Sequence, residues 1–528
     1  MRIIIADFKA KRPVMSPLLL PDNYAQVAEN CELINGSLAP LRGLGTQENL
    51  AGTDLKTVYE MEDGTKKTWT VDVDIVSAFV NDSNGRIFYT GDGYPKQTDN
   101  TGTVRRLGVP APSAALTVQI NNPVGEEAEV FRTTSYVYTY VTNLNEESAP
   151  SPATSIFDLY DEQTVTLKSF VNPSIAGVTV SKFRVYRVAS GTNTAEFQFV
   201  KELVSSTTQW TDDVDDSALG EVLPTETWLP PSDNLTGLAQ AANGVLFGWV
   251  GREICFSEPF IPYAFPDEYK QQLNNDIVGA GFYGSSIVLC TTAIPYISTN
   301  LDPAAAILNP MPYNQACVSK HGIVNVGYGV VYPSPDGLFM ISDDGGTLIT
   351  ASVIDREQWQ QYPLADIIAF YHENKYHAFF RGTGRGFVFN LVTADIIDIE
   401  ISGVEVHGGY VDSLTDTVKL LCKIDTDYKL CDFNRGEELS YTWKSKRFYN
   451  PAGINYGVCR IKAEYDTDGI ECEIRADGVL KFSKTVTADK PFRLPSSFRA
   501  HDWEITVSGR CRIDGIILAT SFEEAFGG

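Results

Sequence analysis

The chain has 528 residues and carries 42 Lys and Arg against 67 Asp and Glu, a formal net charge of −25. Such an acid excess argues against general nucleic-acid binding and against docking on anionic lipid, both of which need basic surface, and it suits a surface that repels a polyanion. Hydrophobic residues at 43% and charged residues at 21% give an ordinary globular balance in a chain long enough for several domains without disulfide staples.

The nine cysteines are odd in number and have no C-x-x-C spacing, so they read as free thiols of a chain made in a reducing cytoplasm. Residues 1–9 hold only a short apolar run before a charge, and no secretory signal is predicted. No stretch approaches the roughly 18 apolar residues of a membrane-spanning helix. Short runs of Val, Ile, Thr, Tyr and Phe, cut by Gly, Pro, Asn and Asp, predict an all-β chain of many short strands.

In chain order, the prolines Pro13, Pro17 and Pro21 predict an extended arm. Residues 23–33 place Tyr24, Val27, Ala28 and Cys31 at helical spacing and predict about three helical turns. Residues 34–42 predict a strand pair turning at Asn35-Gly36. A weak repeat follows, each copy an alternating strand, a turn and a second apolar strand. Its copies lie at residues 75–89, 238–256, 277–290, 323–340, 367–380 and 406–422. From the second copy on, the starts are about 40 residues apart, the span of a four-stranded propeller blade. These copies predict a β-propeller of about six blades; a β-sandwich is the competing all-β solution.

Between residues 106 and 234 the repeat is interrupted. Alternation at residues 135–142, 165–167 and 182–187, with frequent turns, predicts an inserted immunoglobulin- or fibronectin-like β-sandwich. Residues beyond 449 carry further strand patterns, and the sequence leaves open a separate C-terminal β unit or a closing blade. The expected division is 1–108 for arm, helix and first propeller part, 109–235 for the insertion, 236–447 for the remaining blades and 448–528 for the C-terminal unit.

Chemistry-bearing motifs are sparse. His372 and His377 are five residues apart, with no third ligand nearby, and read as loop or strand-surface residues. Ser334-Pro335-Asp336-Gly337 reads as a turn. The acids Asp212, Asp213, Asp215 and Asp216, and the stretch Asp466-Thr467-Asp468-Gly469, lack a full calcium-loop pattern and read as solvated turns. Arg381 to Gly386 is Gly-rich but precedes a strand, so a hairpin turn is predicted rather than a phosphate cradle. The basic clusters Arg105-Arg106 and Lys444-Ser445-Lys446-Arg447 read as solvated faces, with contact to an acidic partner as the alternative. No catalytic residue, metal ligand or cofactor is predicted.

Several ordered segments carry a resemblance. They are Phe8, Pro13 to Pro21, Ala25-Gln26-Val27-Ala28-Glu29-Asn30-Cys31, and Gly36 to Arg42. They continue with Cys255-Phe256-Ser257-Glu258-Pro259, Ala264-Phe265-Pro266-Asp267-Glu268-Tyr269, Gln315 to Lys320, Tyr332-Pro333-Ser334-Pro335-Asp336-Gly337-Leu338, and Phe492-Arg493-Leu494-Pro495. Their order resembles the tail nozzle proteins of short-tailed bacteriophages (podoviruses), also called tail tubular or packaged-DNA-stabilising proteins. The family-motif positions carried over are Ser257, Glu258, Pro259, Pro266, Tyr269, Tyr332, Asp336, Gly337, Arg493, Leu494 and Pro495.

The resemblance implies a non-enzymatic virion protein in a homo-hexameric tail nozzle. That nozzle would sit below a head–tail adaptor ring, contact tail fibre, spike or needle proteins, retain packaged double-stranded DNA and let it pass without specific binding. The alternatives are a propeller-based carbohydrate-binding or glycan-degrading tail protein, and a receptor-binding module.

Overall fold

The structure, a computed structural model, describes residues 1–78, 85–122, 130–160, 162–188, 196–241, 243–300, 302–412 and 414–526. Those residues form a nearly all-β molecule of many small sheets in a propeller-like arrangement. Its two α-helices, Arg356–Trp359 and Phe522–Phe526, are each about one turn long.

Six antiparallel meanders of four strands recur, five as sheets of their own and the one from Ile367 joined to strands of the chain ends in a ten-stranded sheet. Meander one runs Asp74–Ser77, Ile87–Thr90, Lys96–Thr98 and Val104–Arg106. Meander two starts at Gly237–Gln240, three at Ile277–Tyr283, four at Val324–Asn325, five at Ile367–His372 and six at Val404–Asp412. Each repeat copy read from the sequence coincides with strands of one meander. Meander six takes its fourth strand from far upstream, where Gln47–Leu50 pairs with Asp427–Asp432. A separate hairpin, Thr57–Glu60 with Lys66–Trp69, follows that strand.

Each small sheet has two apolar faces and cannot bury both alone. Successive sheets therefore share cores. Phe88 and Leu246 lie between meanders one and two, Phe247 and Leu289 between two and three, and Val288 and Phe339 between three and four. Leu338 and Phe387 lie between four and five, and Phe379 and Cys422 between five and six. Leu421 and Val58 join meander six to the hairpin, and Met61 and Tyr89 join the hairpin back to meander one. The chain of shared cores closes on itself.

Residues 107–236 leave the ring and return to it. Thr117–Asn121, Thr164–Lys168 and Gln209–Asp212 form one three-stranded sheet, and Tyr136–Thr142, Val180–Val188 and Phe197–Val204 form another. They pack face to face over Tyr138, Leu167, Phe170 and Phe183.

The two ends of the chain fold together. Arg2–Ile5 pairs with Arg512–Ala519, and Ala25–Glu29 pairs with Tyr441–Ser445. Two sheets built from these segments enclose a core containing Phe8, Trp443, Ile474, Trp503 and Ile516. The first forty residues thus sit between the C-terminal strands and meander five, where Glu29 pairs in parallel with Asp398.

The helix expected at residues 23–33 does not form; two strands, Ala25–Glu29 and Cys31–Ile34, occupy the segment. The reason is local. The register against Tyr441–Ser445 shifts between Ala25 and Val27, a bulge that brings both Ala25 and Ala28 onto the buried face. Asn30 then adopts a left-handed conformation (φ 53°), and its amide exchanges hydrogen bonds with the Glu400 backbone, Nδ2 donating to O at 2.9 Å and Oδ1 accepting from N at 2.9 Å. A bulge and a left-handed Asn bury Ala25, Ala28 and Cys31 at a three-residue spacing, which imitates a helix. The predicted pair beyond it forms as Cys31–Ile34 and Ser37–Pro40, with Asn35 (φ 51°) and Gly36 (φ 87°) turning between them.

Trp443 ties the two chain ends together. Its Nε1 donates to Lys9 O at 3.0 Å, and its ring meets Phe8 edge-on at 5.0 Å. Trp443→Phe removes that bond and leaves a small void, and is expected to cost about 1–3 kcal/mol. Thermal unfolding measures the loss, and limited proteolysis should then cut first within residues 1–42.

Candidate functional site

The first strands of meanders one, five and six and the strand Thr57–Glu60 border the middle of the ring. A cavity of about 300 Å³ lies there, lined by Val58, Asp74, Ile368, Phe370 and Gly408 and by the charged side chains of Lys320, His321 and Arg381. Meander one supplies Asp72, just before its first strand, and Asp74 within it. The short 3-10 turn Lys320–Gly322 ahead of meander four supplies Lys320 and His321, and Arg381 follows the second strand of meander five.

The charges pair between sheets that are not sequence neighbours. Lys320 Nζ lies 2.6 Å from Asp74, and Asp74 also accepts from the Leu238 backbone N–H at 3.3 Å. Arg381 donates to Asp72 at 2.8 Å, and His321 Nε2 lies 3.4 Å from the same carboxylate. Burial pushes Asp72 up, but His321 and Arg381 outweigh it and hold its carboxyl well below the usual range. At Asp74 burial prevails and raises the carboxyl, with Lys320 opposing. An Asp–His couple has the form of an acid–base pair, but here Arg381 shares the carboxylate. The arrangement is an ionic clamp holding meanders one, four and five at fixed angles.

The family-motif positions fall into three separate places. Ser257 is buried; its Oγ accepts from Leu246 N–H at 2.9 Å and donates to Glu258 O at 2.9 Å. Tyr269 OH donates to Glu258 at 3.3 Å, while Pro259 lies in the connecting loop and Pro266 leads the 3-10 turn Asp267–Tyr269. In meander four, Tyr332 OH donates to Gln315 O at 2.9 Å, and Gln315 Nε2 donates to Asp336 at 2.9 Å. Gly337 opens the next strand at φ 152°, where a Cβ would stand 2.2 Å from Thr350 Oγ1. Near the C-terminus the Arg493 guanidinium lies over the Phe522 ring at 5.5 Å, Leu494 is buried, and Pro495 O accepts from Asn455 Nδ2 at 3.1 Å. These contacts fix turns and loop crossings; they do not converge on one site.

Several sequence readings need correction. Asp212 is not solvated: it is buried and paired with Arg187, with Arg132 at 3.5 Å and Tyr136 OH donating to it at 2.6 Å, while the partly exposed Asp216 pairs with Arg132 at 3.1 Å. Asp466 does close a turn, accepting from Gly469 N–H at 2.7 Å. His377 is not on the surface but 6% exposed, and His372 lies 3.0 Å from Asp416.

Each cation of the basic clusters has an acid of the same chain within reach. Arg105 pairs with Asp99 at 2.6 Å and Arg106 with Asp233. Lys444 lies 3.3 Å and Arg447 3.6 Å from Glu504, and Lys446 lies 3.1 Å from Asp22. The turns predicted at Ser334 to Gly337 and at Arg381 to Gly386 are present as hairpin connections. The axial clamp is not legible in the sequence because its members lie up to about 300 residues apart; of them only Lys320 and Arg381 fall in segments singled out above.

Comparison with protein families and with curated proteins finds no match to this chain. Among solved structures, the computationally designed Ika8 protein is 10% identical, covering 75% of this chain and 98% of its own, with a TM-score of 0.32. The AfRom2 CNH domain is 8% identical, covering 74% and 98%, with a TM-score of 0.30. The beta-propeller domain of Myceliophteria thermophila Cps50 (Swd1) is 11% identical, covering 50% and 89%, with a TM-score of 0.28. Likenesses this low transfer no function.

Two outcomes follow from the geometry. A carboxyl held below its ordinary range stabilises the fold above that range, and the contribution is lost as pH falls through its folded value. Asp72→Asn should therefore lower the melting temperature at neutral pH and flatten the acid limb of stability below about pH 4, read by thermal unfolding across pH. Gly337→Ala should cost about 1–3 kcal/mol through the clash with Thr350, read by denaturant unfolding.

Proposed function

We propose that this chain is a structural virion protein of a short-tailed phage. On this reading the six meanders are the blades of a propeller, with the hairpin at residues 57–69 filling the remaining angle. Residues 109–235 are an inserted immunoglobulin- or fibronectin-like domain, and the united chain ends form the terminal β unit. Six copies form the distal tail nozzle, which retains packaged DNA and conducts it during ejection. The partners this reading requires are the head–tail adaptor ring above and tail fibre, spike or needle proteins alongside. Neither catalysis nor a cofactor is needed.

The observation that carries the proposal is where the charges go. Both basic clusters of the sequence have acids of the same chain within ion-pair reach, and acids dominate the surface of a chain whose net charge is −25. A conduit for a polyanion needs such a surface, because unpaired Lys and Arg would trade counterions for phosphate and hold the DNA. The ordered segments shared with tail nozzle proteins support the same reading. The axial cavity, at about 300 Å³ and clamped by ion pairs, admits a small molecule and not a duplex. The bore of this assembly therefore lies between chains, on the axis of a closed ring of head-to-tail copies.

Electron microscopy and mass measurement of the purified chain, alone and with an adaptor ring, test the proposal. The expected result is a six-fold ring that leaves duplex DNA unretarded at physiological salt. A strict monomer at high concentration that also ignores the adaptor ring overturns it, as does tight duplex binding. Hydrolysis of a host glycan would favour the carbohydrate-active alternative instead.

A further inference from the structure

A second cavity, about 350 Å³, lies away from the axis between meander five and the Cys31–Ile34 hairpin strand. Phe8, Leu33, Val388 and Ile397 give it apolar walls, and His377 lines it from the middle of the strand Lys375–Phe380. The imidazole is 6% exposed, and neither ring nitrogen has a hydrogen-bond partner. Phe433 meets the ring edge-on at 5.7 Å, which fixes its orientation. A buried polar group left unpaired costs free energy that a partner would recover.

The charged groups around the cavity, and Asn390 and Asn434, are already engaged. Lys9 pairs with Asp7 at 3.1 Å; Lys375 lies 3.6 Å from Glu373 and 4.0 Å from Glu32. Asn390 Oδ1 accepts from Val392 N–H at 2.9 Å, Asp395 accepts from Thr393 Oγ1 at 2.6 Å, and Asn434 Oδ1 accepts from Arg42 N–H at 2.9 Å. Paired charges at the rim offer an ion little, whereas the imidazole keeps an acceptor nitrogen open. Burial, aided by Lys375 and His372, lowers the His377 pKa to about 3, so the ring is neutral at physiological pH.

We propose that this cavity is a binding site for a small uncharged molecule with a flat apolar body and a hydroxyl group, of the phenol class. The hydroxyl donates to the free His377 nitrogen, and the body displaces water from the apolar walls. A space of 350 Å³ holds about twelve waters at roughly 30 Å³ each, room enough for one six-membered ring with a substituent. Concave, mainly apolar walls with one convergent polar group are the usual form of such sites. The inference does not rest on the tail-nozzle reading.

Phenol and toluene, titrated separately into the full chain carrying ¹⁵N-labelled histidine, test it, with a crystal soak to locate the bound molecule. The expected result is saturable binding of phenol at least tenfold tighter than toluene, with a shift of the His377 ring signals. His377→Phe should abolish that tenfold preference, and Leu33→Phe, which narrows the cavity, should weaken both ligands. Equal affinity for the two ligands would reduce the site to a plain apolar void. A soak that finds ordered water alone, or phenol binding untouched by both substitutions, would likewise overturn the proposal.

Discussion

Closure is the constraint on which the molecule depends. A four-stranded meander is too small to bury its own two faces, and the shared cores leave every face covered only when the last sheet meets the first. Two upstream segments make that meeting. Gln47–Leu50 completes meander six, and the hairpin after it packs on meander six through Val58 and on meander one through Met61. The residues that seal the ring thus come from early in the chain and bind a sheet made nearly 400 residues later. Closure is therefore a long-range event, paid for in loop entropy before any of its contacts form.

Ionic pairs take over where the apolar cores stop. The clamp at the axis joins meanders one, four and five through Asp72 and Asp74. The segment that leaves the ring is tied back in a similar way: Glu146 is buried, accepts from Gln97 Nε2 at 3.0 Å and pairs with Arg86 at 2.9 Å. The end unit repeats the pattern at Glu504, which draws in Gln26 at 2.7 Å together with Lys444 and Arg447. Breaking one partner of such a buried group leaves a charge without solvent, so each contact restricts how two units sit against each other more than it adds to net stability.

Local patterns were legible in the sequence, and long-range placements were not. The hairpins of the meanders could be read because each strand alternates or runs apolar between turn residues, as in Gly281 to Ser286 or Ser334 to Gly337. The segment 23–33 misled because a bulge and a left-handed Asn30 produce a helical spacing on a strand. Asp212 looked like one of several solvated acids because its partners, Arg132 and Arg187, lie on other strands. His377 looked like a surface residue because the apolar walls around it come from Phe8, Leu33 and Ile397, none near it in sequence. The family-motif residues were visible as a pattern, yet what they do, such as Gly337 yielding space to Thr350, needs the neighbouring turn.

Val479–Val486 is the outermost strand of the end unit's sheet, with Val479 at 55% and Leu480 at 42% exposure. An edge of that length would invite pairing with another chain. Two lysines guard it, Lys481 over the Phe498 ring at 5.0 Å and Lys484 over the Phe492 ring at 5.6 Å. Each aromatic ring holds a charge beside the strand, where a second strand would have to desolvate it. Strand addition is thereby disfavoured at the edge where it would be easiest.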